Sequence, residues 1–204
     1  MLDKSLSSLL QHINPLHLKK EGVSQQFLTR IIECFPETTR RFFLGVFMLD
    51  QFIQKSKTIK NDQWTCILNL ITSAEARQGI TGHFVVLLKK NDYFMYLDPF
   101  GLPALHESLR QFFIEQKKPV FFNTKCVQST NSNFCGMFCL LFLSRINITP
   151  DRAVLKQEET EEKHSHASKN VYLSTNDFDL KNDLRCMQYL KDFVHEKFAS
   201  VETR

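Results

Sequence analysis

A chain of 204 residues is long enough for one domain with a proper core, and 43% hydrophobic with 24% charged residues is ordinary for a soluble globular protein. A formal net charge of +4 and a pI near 8.7 permit contact with nucleic acid without arguing for it, since a solvated surface with a small lysine excess gives the same values. No apolar run reaches membrane-spanning length, and Met1 to Leu10 lacks a basic start followed by a long apolar stretch, so neither a span nor a secretory signal is expected.

The first third, to about Leu70, reads as mostly helical. Ser24 is placed to cap a helix in which Phe27, Leu28, Ile31 and Ile32 recur at helical spacing, and Phe35-Pro36 ends it. Gln51 to Lys60 is polar and lysine-rich and reads as a surface segment. The period then changes. His83 to Leu88 and Tyr93 to Asp98 are aromatic and aliphatic runs around the polar turn Lys89 to Asp92, the pattern of a β-hairpin. Pro99, Gly101 and Pro103 end the second strand, His106 to Glu115 reads as a helix, and Val120 to Phe122 as a third short strand. Cys135 to Arg145 is apolar nearly all round, as in a buried helix, with Asn131, Ser132 and Asn133 as cap candidates before it. Glu158 to His166 reads as a charged loop, and Asp183 to Phe198 as an amphipathic helix turning Leu184, Met187, Leu190, Phe193, Val194 and Phe198 inward. There is no internal repeat or Pro/Gly/Ser-rich linker, so residues 1–204 are read as one domain.

Phe, with 19 copies, is the unusual entry in the composition and predicts a well-filled core and an apolar groove. The six cysteines, at 34, 66, 126, 135, 139 and 186, include no CxxC pair and have no further ligands placed for zinc, which predicts free thiols in a reducing compartment and no metal site.

The residues that carry chemistry come from three separate places. A two-residue loop at Lys90-Asn91, or the four-residue loop Lys89 to Asp92, sets Leu88 opposite Tyr93 and therefore His83 opposite Asp98. Cross-strand Cβ atoms lie about 5 Å apart, so the hairpin alone can bring an imidazole to a carboxylate that fixes its tautomer and stabilises its charge. Cys135 starts the buried helix, whose N-terminus favours a thiolate, and a neighbouring imidazolium favours it further. Gly136 lets backbone approach a substrate closely. The Cys135 N–H and the Gln128 side-chain amide are candidate donors to an oxyanion. Each residue alone has a plainer reading: a structural histidine, a turn carboxylate before Pro99, a buried apolar cysteine, an unremarked glutamine. Together they are more specific than apart.

Three segments resemble the adenovirus maturation protease (adenain) family, with relatives in adenovirus-like DNA viruses and Maverick/Polinton elements. Thr81-Gly82-His83-Phe84 is similar to the catalytic histidine block, Tyr96-Leu97-Asp98-Pro99-Phe100-Gly101 to the block of the acidic residue, and Gln128 to Cys139 to the Gln…Asn-Ser…Cys-Gly-x-Phe-Cys block. The order His, Asp, Gln, Cys is the family's, and weaker likeness at Phe43-Leu44-Gly45 and Tyr189 to Phe193 extends over nearly the whole chain. The resemblance implies an α+β fold with a small mixed sheet flanked by helices. It implies a monomeric thiol protease with His83, Asp98, Cys135 and Gln128 in the catalytic roles, without a metal and without a membrane. Its substrates are viral precursor proteins, cut beside small residues in the virion and host nucleus, with stimulation by DNA and a short viral peptide. The family's peptide joins by disulfide to a cysteine whose place falls here near Lys117-Lys118, so no cysteine matches it. Lys89, Lys90, Lys117, Lys118 and Lys125 are candidates for a DNA-facing surface, but a solvated face is the preferred reading of those lysines. A protease for ubiquitin-like modifiers and a non-enzymatic DNA-associated scaffold with the same fold remain as alternatives.

Overall fold

A computed structural model of the protein describes residues 22–148 apart from 36, 125 and 129–131, with only the main-chain path for 145–148. The expected charged loop and the closing amphipathic helix lie outside the described residues, as do Lys125, Asn131 and Cys186. In chain order the elements are α1 (Gln25–Glu33), α2 (Glu37–Arg40), β1 (Phe43–Met48), α3 (Leu49–Ser56), β2 (Gln63–Asn69), α4 (Ser73–Arg77), β3 (Phe84–Lys90), β4 (Tyr93–Leu97), α5 (Glu107–Gln116), β5 (Val120–Phe122) and α6 (Cys135–Ile148). The architecture is the expected α+β one: a five-stranded mixed sheet flanked by helices.

The strands stand in chain order, β1-β2-β3-β4-β5. The two inner junctions, β2–β3 and β3–β4, are antiparallel, whereas β1 and β5 join the edges in parallel. Side chains alternate faces along each strand, which divides the interior into two cores. One face sends Ile67, Val86, Leu88, Met95 and Leu97 against α1 and α6. The other sends Trp64, Cys66, Leu68, Leu87, Phe94 and Tyr96 against α3 and α5, where Phe52 and Phe112 meet edge to face at 5.2 Å.

Several elements form as the sequence predicts. Ser24 caps α1, its Oγ accepting from Phe27 N at 3.1 Å, and the helix buries Phe27, Leu28, Ile31 and Ile32. His106 caps α5, and β5 covers Val120 to Phe122.

The first third departs from expectation. Its described residues, from 22 onward, hold strands β1 and β2 besides helices, and residues 1–21 lie outside the described part. From Trp64 to Asn69 every residue of β2 is buried, so the polar-apolar alternation that marks a one-sided strand is missing. The polar segment from Gln51 belongs in part to α3, whose Phe52 is fully buried between lysine- and glutamine-rich neighbours. The hairpin turn is also tighter than expected. Lys89 and Lys90 pair within the strand, and the loop is Asn91-Asp92, with Asn91 in the left-handed region at φ 50°. Asparagine tolerates that conformation, so the turn sits one residue later than Lys90-Asn91. The register accordingly pairs Lys90 with Tyr93 and Val86 with Leu97, a shift of two that leaves every side chain on its expected face. His83 precedes the strand and Asp98 follows its partner, so the two are not directly opposed; the register, extended, sets His83 level with Phe100.

Candidate active site

The corrected register still brings His83 to Asp98. Asp98 begins the turn after β4, where Gly101 N donates to Asp98 O at 2.8 Å with Gly101 at φ +69°. The turn carries the carboxylate diagonally back to the histidine, and His83 Nε2 lies 2.8 Å from Asp98 Oδ1. That oxygen also accepts from Phe100 N at 2.7 Å, and the Phe100 ring stacks on the imidazole with centroids 4.8 Å apart. Asp98 is buried, whereas the His83 side chain keeps 22% exposure and so can meet a substrate.

Cys135 is the first residue of α6 and is buried at the edge of the core. Its Sγ accepts a long hydrogen bond from Phe84 N at 3.5 Å, next in chain to the histidine. Helix α6 is apolar all round because it lies against the sheet face, with Phe138, Cys139, Leu140 and Leu143 fully buried. Its N-terminus thus sets the positive end of the helix dipole at Cys135. Gly136 is needed for closeness: a Cβ there would stand 2.2 Å from Val23 Cγ2.

His83 binds both partners. Burial opposes charging of the imidazole, but hydrogen bonds to Asp98 and Cys135 and the negative charges they carry outweigh it, holding its pKa up at about 9 against the ordinary 6.5. With Nε2 on Asp98, Nδ1 is the nitrogen left for the sulfur. A charged imidazolium is the protonation state these neighbours favour at His83.

Gln128 is buried beside these groups. Its backbone N–H and that of Val127 donate to Pro99 O at 3.1 and 2.8 Å, tying the glutamine loop to the segment that holds Asp98. Gln128 Nε2 donates to Ser132 O at 2.6 Å, which fixes the amide plane and leaves its second N–H; Oε1 is buried without a hydrogen-bond partner.

His83, Cys135 and Gln128 line one cleft of about 360 Å³ together with Ser132, Phe100 and Asn69. Sequence reading missed Asn69, Phe100 and Asn123 as parts of this site. Asn69 closes β2 and presses its side chain onto Gly82, where a Cβ would lie 1.7 Å from Oδ1. Gly82 immediately before the histidine was the available signal. Asn123 gives no local signal, because its partners lie across the sheet edge. Among the lysines weighed as a nucleic-acid surface, Lys89 pairs with Asp62 at 3.1 Å and Lys118 with Asp92 at 3.6 Å, so carboxylates offset both.

No protein-family model matches the chain, and no curated protein is similar enough to count as a relative. Among solved structures, the chain is similar to HopZ1a in complex with IP6, at 12% identity and TM-score 0.41 over 74% of this chain and 58% of that one. It is similar also to AvrA delL154 with IP6 and CoA, at 12% identity and TM-score 0.46 over 75% of this chain and 61% of that one. The chain spans about three fifths of the length of these proteins. At such identity and TM-scores the likeness carries no weight about activity.

Proposed function

We propose that this chain is a cysteine endopeptidase of the adenovirus maturation-protease type. The observation that carries the reading is one imidazole, His83, held at 2.8 Å by Asp98 and lining one cleft with Cys135, whose sulfur accepts from the N–H of the next residue, Phe84, at 3.5 Å. The three sequence blocks around His83, Asp98 and Cys135 support the family.

On this reading the Cys135 thiolate attacks the scissile carbonyl carbon, forming a C–S bond and an oxyanion. The Cys135 N–H and the second N–H of Gln128 stabilise that oxyanion. His83 gives its proton to the leaving amine as the C–N bond breaks, leaving a thioester. The neutral imidazole then takes a proton from water, whose oxygen displaces the sulfur and releases a carboxylic acid. Asp98 keeps His83 oriented throughout. The substrates are viral precursor proteins cut at Gly-Gly or Gly-X sites in the virion or host nucleus, by a monomer without metal. DNA and a viral peptide are stimulants on the same reading, the peptide without a disulfide, since the family's cysteine position falls near Lys117-Lys118.

A fluorogenic Gly-Gly peptide tests the proposal. Cys135→Ala should abolish cleavage and iodoacetamide labelling of the reactive thiol while leaving the melting temperature within a few degrees. His83→Ala should cost more than Asp98→Asn, which keeps the hydrogen-bonding shape; losses of about 10³-fold or more are the scale for such groups. Equal turnover by Cys135→Ala and wild type would end the reading. Cleavage of ubiquitin-like fusions but not of Gly-Gly peptides would assign the deconjugase alternative. Delivery of the acyl group to an added amine or thiol, with no free acid formed, would assign the same thioester to an acyltransferase. A thiol of ordinary reactivity throughout would leave the scaffold.

A further inference from the structure

We propose that Asn123 is a positioning residue of this site, acting as a side-chain substitute for a strand's peptide group that sets Asp98 and, through it, the charge on His83. The inference rests on the cysteine-enzyme reading above. Asn123 follows β5 immediately and is buried. Its Oδ1 accepts from Asp98 N at 2.8 Å, and its Nδ2 donates to Asp98 O at 2.7 Å. One carboxamide therefore meets both polar groups of the Asp98 main chain.

The arrangement explains how the sheet edge becomes a site. The parallel ladder between β4 and β5 ends at Tyr96 opposite Phe122, and the antiparallel ladder with β3 ends at Leu97. Beyond these points Asp98 has no backbone partner across the sheet for its N–H, and burial makes an unpaired group costly. Asn123 supplies donor and acceptor from a side chain, so pairing persists one step further while the backbone after β5 is released toward Gln128. That loop then returns, and Val127 and Gln128 donate to Pro99 O. Asp98-Pro99 is thus held by Asn123 on one side of the peptide and by the glutamine loop on the other. The carboxylate depends on that placement, because its Oδ1 must sit where both Phe100 N and His83 Nε2 reach it. If Asp98 moves, the imidazolium loses its strongest support.

The test reads the rate of Cys135 alkylation by iodoacetamide across pH in the full chain, beside thermal unfolding. Wild type should react rapidly from about pH 6 upward, as a thiolate–imidazolium pair does. Asn123→Ala should react about tenfold more slowly near neutral pH, the scale of a lost buried hydrogen bond, and converge on wild type at alkaline pH, where any thiol ionises. A profile that superimposes on wild type overturns the proposal, and so does one lowered equally at every pH, which would mark loss of fold or access alone. Should alanine fail to fold, Asn123→Asp keeps the shape. Its protonated carboxyl reproduces donor and acceptor, so its rate relative to wild type should fall as pH rises through that carboxyl's titration; a flat ratio overturns the proposal. A wild type without any unusually reactive thiol removes the ion pair itself, a failure visible before any variant is compared.

Discussion

At the scale of single residues, the site is a contest over one proton. Burial alone would keep His83 neutral, and its partners reverse that, giving a pKa of about 9 in place of 6.5. Because the folded value is raised, the charge on His83 stabilises the fold fully below about pH 6.5, and that contribution is lost as pH rises through about 9. Urea unfolding of wild type against His83→Gln should therefore show a gap that is widest in mild acid and closes toward alkaline pH; a gap that widens with pH would contradict the ion pair. His83, Asp98 and Cys135 were legible in the sequence because each belongs to a short block with a recognisable neighbour: Gly82, Pro99-Phe100-Gly101 and Gly136. Asn123 and Asn69 were not, since an isolated asparagine is indistinguishable from a turn residue until its distant partners are known. Phe100 stood in a quoted block, yet its ring contact with His83 follows only from the true hairpin register.

Among elements, the hairpin and α6 were readable for opposite reasons. The hairpin shows a polar break between two apolar runs, and only the turn's exact residues escaped, because Lys89 and Lys90 look like loop while lying in the ladder. Helix α6 is apolar on every side, so its burial was evident without any periodicity. Strand β2 failed the same test: buried on both faces, it offers no alternation, and a seven-residue run of that kind cannot be told from helix by pattern. The docking of α6 makes a prediction that propensity gets wrong. Alanine is favoured over glycine within a helix by about 1 kcal/mol. At position 136, however, its Cβ would press on Val23 Cγ2 at 2.2 Å and on Leu28 at 3.2 Å. Overpacking of this kind costs about 1–3 kcal/mol, so Gly136→Ala should lower stability and slow Cys135 alkylation together. Unchanged melting would mean that Val23 and Leu28 yield freely.

Taken whole, the described residues form a sheet with two separate interiors, and the nucleophile candidate Cys135 lies in one of them. Cys135, Phe84 and Val127 belong to the face under α1 and α6, whereas the aromatic cluster of Phe52, Trp64, Phe94 and Phe112 fills the other. Phe52→Ala should remove about 3–5 kcal/mol of stability, read by denaturant unfolding, with the alkylation profile of the folded fraction unaltered. A changed profile would show that the two faces communicate through the sheet. The strict chain order of the strands has one more implication, for the ribosome rather than the mature protein. Histidine and carboxylate lie 15 positions apart and can meet on a local hairpin, while the sulfur lies 51 positions beyond the residue that donates to it. Synthesis proceeds from the N-terminus, so the sheet emerges before its warhead does. On the proposed function, a half-made chain lacks its nucleophile until α6, which carries Cys135, has been made.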